Sequence, residues 1–260
     1  MDASASAAVR IGAHSSTLSA LSTLSVTERD RDAPGLAIPG PESQLVVRFG
    51  PGAQNGLDLY GFGGRQTVGR KLLHRGQRVV MARLELGTTE AVLGVPASAV
   101  VGRAIALEDL WGDAAVGRLR ERLVQARDTS DAARTLQSAI AERSASTGGQ
   151  AARARLVLEA AERLTTASVS SVALDLGVSE RHLRRVFHEI TGMSPKAYAK
   201  VTRFRRALRI AREADGAGWA TIAIAAGYYD QAHLIAEFRT IAGVTPRALL
   251  GELGSAQAIG

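Results

Sequence analysis

Between residues 179 and 212 the chain carries ten basic side chains: Arg181, Arg184, Arg185, Lys196, Lys200, Arg203, Arg205, Arg206, Arg209 and Arg212. Only Glu180 and Glu189 oppose them, so 34 residues hold a net charge of +8. Arginine can pair with a guanine edge through two N–H donors and grips phosphate with the same planar fork. The bland alternative for such a run is a solvated helix face. The spacing speaks for chemistry. Leu183, Val186, Phe187 and Ile190 form one inner helical stripe, and Arg181, His182, Arg184, Arg185 and His188 fall on the opposite face.

No comparable set exists for catalysis or metal binding. The chain has no cysteine, which excludes disulfides, thiolate zinc sites and a cysteine nucleophile. The histidines are His14, His74, His182, His188 and His233, and none pairs with another at ligand spacing on one face. Gly61-Phe62-Gly63-Gly64 lacks the following Lys-Ser/Thr of a phosphate loop and reads as a turn. No Gly-x-Ser-x-Gly elbow is present. Neither a catalytic residue, a metal site nor a cofactor is expected. Arg65, Arg70, Lys71, Arg75, Arg78 and Arg83 make the first half locally basic. They suit either an anionic effector or a solvated loop.

The elements that must hold the arginines follow from the flanking residues. Ser168 or Ser170 can cap a helix whose Val172, Ala173 and Leu176 face inward. Gly177 ends it with the backbone freedom of a tight turn, and Val178 plugs the corner. Ser179 then caps the arginine helix. A buried seam with an exposed second helix is the layout of a helix-turn-helix. The pattern recurs. His182, Leu183, Phe187, Gly192 and Pro195 reappear 51 residues on as His233, Leu234, Phe238, Gly243 and Pro246, and Gly177 matches Gly227 at an offset of 50. Residues 195–213 hold no helix breaker after Pro195. A connector helix of about 18 residues spans about 27 Å, against about 34 Å between major-groove faces on one side of a duplex. A plain all-α bundle with basic faces is the alternative.

With these residues in view, 151–252 resembles the DNA-binding domain of the AraC/XylS family of bacterial transcription regulators. The second unit carries Ile222-Ala223, Gly227-Tyr228, Asp230-Gln231-Ala232-His233-Leu234, Phe238-Arg239 and Gly243-Val244-Thr245-Pro246. The first carries Ala173, Leu176-Gly177-Val178-Ser179, Leu183, Phe187, Thr191-Gly192-Met193-Ser194-Pro195 and Tyr198. The resemblance implies base-reading positions at Arg181, Arg184 and Arg185, and at Gln231, Ala232, His233, Ile235 and Ala236. Ile235 and Ala236 depart from the polar residues common there. The first unit is therefore expected to supply most of the specificity and the second mainly affinity. Ser179, Lys196 and Arg239 are the phosphate candidates.

The first half resembles, more faintly, a regulatory domain that precedes this module in many family members. The carrying segments are Ile38-Pro39-Gly40-Pro41, Leu84-Glu85-Leu86-Gly87, Leu93-Gly94-Val95-Pro96-Ala97 and Leu107-Glu108-Asp109-Leu110-Trp111-Gly112. Leu45–Phe49 and Val79–Leu86 are β-rich runs. Asp113 is expected to cap a helix over 114–127, with Val116, Leu119, Leu123 and Val124 inward. Ser130 or Asp131 is expected to cap another to about 143, with Leu136 and Ile140 inward. Trp111 and Trp219 are expected to pack at helix starts.

The expected architecture is an α+β N-terminal domain followed by an all-α domain of two helix-turn-helix units joined by a long linker helix. Its bounds are a flexible segment over 1–35, with one short helix near 17–25, a regulatory or dimerisation domain over 36–144, a linker over 145–150, the DNA-binding domain over 151–252 and a flexible tail over 253–260. With 46% hydrophobic and 22% charged residues, the chain is neither disordered nor collagen-like. No stretch reaches about 18 uninterrupted apolar residues, and no basic start leads into an apolar run, so a cytoplasmic chain without a membrane partner is expected. The expected partner is double-stranded promoter or operator DNA, with RNA polymerase, a small-molecule effector and a second copy of the chain as further partners the resemblance admits. Two rivals stay open: an enzyme with an appended DNA-binding module, and a DNA-coating protein without sequence preference.

Overall fold

The computed structural model describes residues 20–145, 151–213, 216, 218–255 and 257–259. The first domain is built on β1 (Leu21–Glu28), β2 (Ala33–Ala37), β3 (Gln44–Phe49), β4 (Leu57–Phe62), β5 (Gly69–Leu73) and β6 (Arg78–Leu84). The short helices α1 (Thr89–Leu93) and α2 (Ala97–Val100), strand β7 (Ala104–Ala106) and helix α3 (Leu107–Trp111) follow. The hairpin of α4 (Asp113–Val124) and α5 (Thr129–Ser144) closes the domain. One sheet has the order β1-β6-β3-β4-β7 with every neighbour antiparallel. Period-2 alternation sends Leu45, Val47, Phe49, Val80, Ala82 and Leu84 into one core with Leu119, Leu123, Leu136 and Ile140 of the helical hairpin. Val46, Val79 and Met81 line the other face.

The β-rich runs at 45–49 and 79–86 appear as β3 and β6, except that β6 ends at Leu84 and Leu86 lies in the following turn. The flexible reading of 1–35 and the short helix near 17–25 need correction, because 21–28 is strand β1 and 33–37 is strand β2. β1 alternates Leu24 and Val26 with hydroxyl side chains, and its partner β6 supplies the burial that the strand's own composition does not signal. Residues 1–19 and 146–150 lie outside the described residues, so the proposed linker is largely outside them too. Gly61 and Phe62 end strand β4 rather than forming a turn. Gly112, not Asp113, precedes α4, and Val124 is 71% exposed rather than inward. Asp128 caps α5 by accepting from the Asp131 N–H, displacing Ser130 and Asp131 from that role. Trp111 is half-buried and donates to the Val92 carbonyl at 2.9 Å.

The second domain comprises α6 (Ala151–Arg163), α7 (Val169–Asp175), α8 (Glu180–Thr191), α9 (Pro195–Glu213), α10 (Trp219–Ala226), α11 (Gln231–Ala242) and α12 (Pro246–Ser255). It has two cores. Val157, Ala160, Leu164, Val172, Leu183, Val186, Phe187 and Ile190 form the first. Phe204, Leu208, Ile222, Ala223, Leu234, Phe238, Ile241 and Leu249 form the second. Helix α9 joins them: Tyr198 meets Phe187 edge-on at 5.2 Å, and Phe204 packs on Phe238 at 4.4 Å. Trp219 also packs on Phe238, at 6.4 Å. The tail reading is corrected as well. Helix α12 runs to Ser255, and β8 (Gln257–Ile259) pairs parallel with Gly35–Ala37 in a second sheet of order β5-β2-β8.

Candidate nucleic-acid interface

Each helix-turn-helix starts from an apolar seam that leaves one helix face outside. Val172 and Ala173 on α7 meet Leu183, Val186 and Phe187 on α8, and Ile222 and Ala223 on α10 meet Leu234 and Phe238 on α11. Burying each phenylalanine contributes about 1.5–3 kcal/mol, which accounts for its return at the same place in both units. Gly177 and Gly227 sit at φ +65° and +92°, a left-handed backbone that glycine adopts without steric cost. Ser168 caps α7 and Ser179 caps α8, the latter accepting from the His182 N–H at 3.2 Å. Asp230 does the same for α11, accepting from the His233 N–H at 2.7 Å. Both caps fix where the recognition helix begins and so which side chains lie in its first turns.

Arg181, Arg184, Arg185, Gln231, Ala232, His233 and Ala236 are all exposed on these helices. Ile235 is the exception. It is half-buried and packs against the second core. Arg184 donates to Glu180 at 2.7 Å and Arg185 to Glu189 at 3.2 Å, both one helical turn apart. Glu189 also takes Arg153 of α6. Exposed pairs of this kind contribute only about 0.2–1 kcal/mol, so phosphate or a base edge can displace the carboxylates. Arg181 has no ion pair among the described residues. Lys196 stands exposed in the first turn of α9, and Arg239 is exposed in the last turn of α11.

Two features escape the sequence reading. Tyr229 is the extra residue in the second turn and is 86% exposed immediately before the Asp230 cap. The unequal offsets of Gly177/Gly227 and Leu183/Leu234 are the signal that locates it. The other feature is Glu237, buried at the place where the first unit has Val186. Arg203 of α9 reaches it with two hydrogen bonds of 3.3 and 2.7 Å, and the Arg203 guanidinium also lies 4.9 Å from the centre of the Tyr228 ring. Burial alone would push the Arg203 guanidinium down; bonding to Glu237 holds it above its ordinary value. Burial, then the Glu237 charge, push the Tyr228 phenol up, so it stays protonated.

No group of three or more side chains able to hold a metal occurs among the described residues. No helix there is long and apolar enough to cross a membrane.

A family model described as a helix-turn-helix domain matches residues 172–251. Among solved structures, the chain is similar to the DNA-binding domain of AdpA, a global transcriptional factor, in complex with a target DNA: 25% identity, 39% of this chain, 91% of that one, TM-score 0.35. It is also similar to a transcriptional regulator with an AraC-type DNA-binding domain from Chromobacterium violaceum: 26% identity, 41% and 97% covered, TM-score 0.35. ToxT from Vibrio cholerae is similar over 88% of this chain and 97% of its own, at 10% identity and TM-score 0.45. No curated protein matches.

Proposed function

We propose, from the premise that residues 172–251 match a helix-turn-helix domain, that the chain regulates transcription by placing α8 and α11 in neighbouring major grooves of one duplex. The observation that carries this reading is the recurrence of one capped, exposed helix at the two ends of α9. At 19 residues, α9 has a length of about 28 Å. Arg181, Arg184 and Arg185 read bases in the first groove, with guanine edges the natural partners. Gln231 and His233 do so in the second, where Tyr229 lays its ring against sugar or a thymine methyl. Ser179, Lys196 and Arg239 take phosphates, which makes affinity fall with salt. The role is binding, in the compartment that holds the DNA.

Control enters through the first domain. A cleft of about 1000 Å³ lies between that domain and α9, with Glu42, Arg83, Arg205, Arg206, Arg209 and Arg212 among its walls. Its charge suits a small anionic effector, which shifts DNA occupancy only to the extent that it binds the DNA-competent form better. Contacts with RNA polymerase or a second copy of the chain belong to the same reading. The test is selection of genomic fragments by the purified chain. Enrichment of one motif with two parts a helical turn apart supports the reading; uniform recovery of all fragments at physiological salt favours a DNA-coating protein instead.

A further inference from the structure

The first domain touches the second at the ends of the recognition helices rather than at their reading turns. At the C-terminus of α11 the carbonyls of Ile241 and Ala242 have no partner within their own helix. The first domain supplies both partners. The Val68 N–H donates to the Ile241 oxygen at 2.9 Å, and the Arg70 Nη2 donates to the Ala242 oxygen at 2.9 Å. Arg70 also donates to both carboxylate oxygens of Glu252 on α12, at 2.9 and 3.2 Å. A guanidinium at this end complements the negative pole of the helix.

The C-terminus of α8 meets the same domain in another way. Gly192 ends that helix at φ +71°, and a Cβ there would come within 2.8 Å of the Ala97 carbonyl oxygen and 2.9 Å of the Val101 side chain. Helix α2 and the residue after it are thus butted against the helix end. Between these two points Glu42 accepts from Arg205 of α9 at 2.7 Å. Leu36 of β2 is 2% exposed within the second core, and Leu86 packs against the first.

The two units are joined through α9, whose Tyr198 packs in the first core and Phe204 in the second, and the first domain adds contacts at the far ends of both recognition helices. We propose that the first domain is a frame that sets the angle and separation of the two recognition helices, with Arg70 as the positioning residue for α11. The inference rests on the DNA-reading role argued above and adds what determines the spacing of the two subsites. The frame is compatible with bound DNA, because Arg181, Arg184, Gln231 and His233 lie exposed near the opposite ends of the helices.

The experiment uses the full chain and a duplex selected by it from a random library. One or two base pairs are inserted between the two footprinted groove segments. Each inserted pair displaces the second subsite by about 3.4 Å and roughly 35°. The wild-type chain is expected to lose about 30-fold in affinity on a single insertion. Arg70→Ala is expected to lose about fivefold at the native spacing but only about threefold more on insertion, with unchanged affinity for either subsite alone. Glu252→Gln, which keeps the bond to Ala242, should fall between the two. Arg70 is exposed, and an unchanged melting curve of Arg70→Ala separates positioning from general destabilisation. Parallel spacing profiles for wild type and Arg70→Ala would overturn the inference while leaving the DNA reading intact. Failure of the wild-type chain to enrich any sequence would overturn both.

Discussion

In the first helix-turn-helix unit the outer face of α8 is charged and its inner stripe is apolar from Leu183 to Ile190, with only the uncharged Thr191 buried at its end. In the second unit much of the outer face of α11 is apolar or small, at Ala232 and Ala236, and the inner stripe contains Glu237. One scaffold has thus been filled in two ways. The first unit keeps its charge where a duplex can reach it. The second spends a charge inside, on a two-bond pair with Arg203 that ties α11 to α9. A buried pair is weak as a source of stability but strong as a constraint, because either partner alone would be a stranded charge. The first unit is therefore suited to reading sequence and the second to holding a defined pose.

The most severe way to break this contrast is Arg203→Ala. It leaves the Glu237 carboxylate buried without its partner and should cost about 3–5 kcal/mol in chemical unfolding. The double change Arg203→Leu with Glu237→Val, which copies Val186 of the first unit, should recover most of that loss. If the double variant is no more stable than the single one, the pair is not the dominant constraint. Next comes Arg185→Ala, which should weaken binding to the selected site by about 1–3 kcal/mol and relax discrimination at one base position. An equal loss on random DNA would count against base reading by the first unit.

Smaller effects sharpen the second unit. Ile235→Ala should lower stability by about 1 kcal/mol through lost packing and leave base preference unchanged in a selection experiment. A changed base preference would return Ile235 to the reading face. Tyr229→Ala should leave the melting temperature unchanged and weaken binding by about 1 kcal/mol, the low end for loss of a single ring contact. Lys196→Ala should lower the slope of log affinity against log salt by about one phosphate, equally on all sequences.

Local rules made much of the second domain legible. Cap residues, the glycine turns and the inner stripes depend on neighbours within one or two helical turns, so Ser179, Gly177 and Gly227 could be assigned roles from order and spacing alone, and the first cap narrowed to Ser168 or Ser170. The recurrence at a 51-residue offset joined those local signals into a double unit. Strands β1 and β2 were illegible for the opposite reason. Their burial comes from β6, β5 and the second core, all distant along the chain. Ile235 sits at the edge of the seam, where a helix position can face either way until its neighbours are packed.

By itself the amino-acid order determined that this chain carries two exposed helices on a shared rod, the first capped by Ser179, together with the arginines that helix presents. Helix propensity, capping and apolar periodicity act at short range and need no partner domain. Only the tertiary structure decided that Glu237 goes inside with Arg203, and that Arg70 caps α11 across 172 residues of sequence. Those choices turn on desolvation and on unpaired carbonyls, which have no fixed spacing along a chain and exist only once distant segments have met.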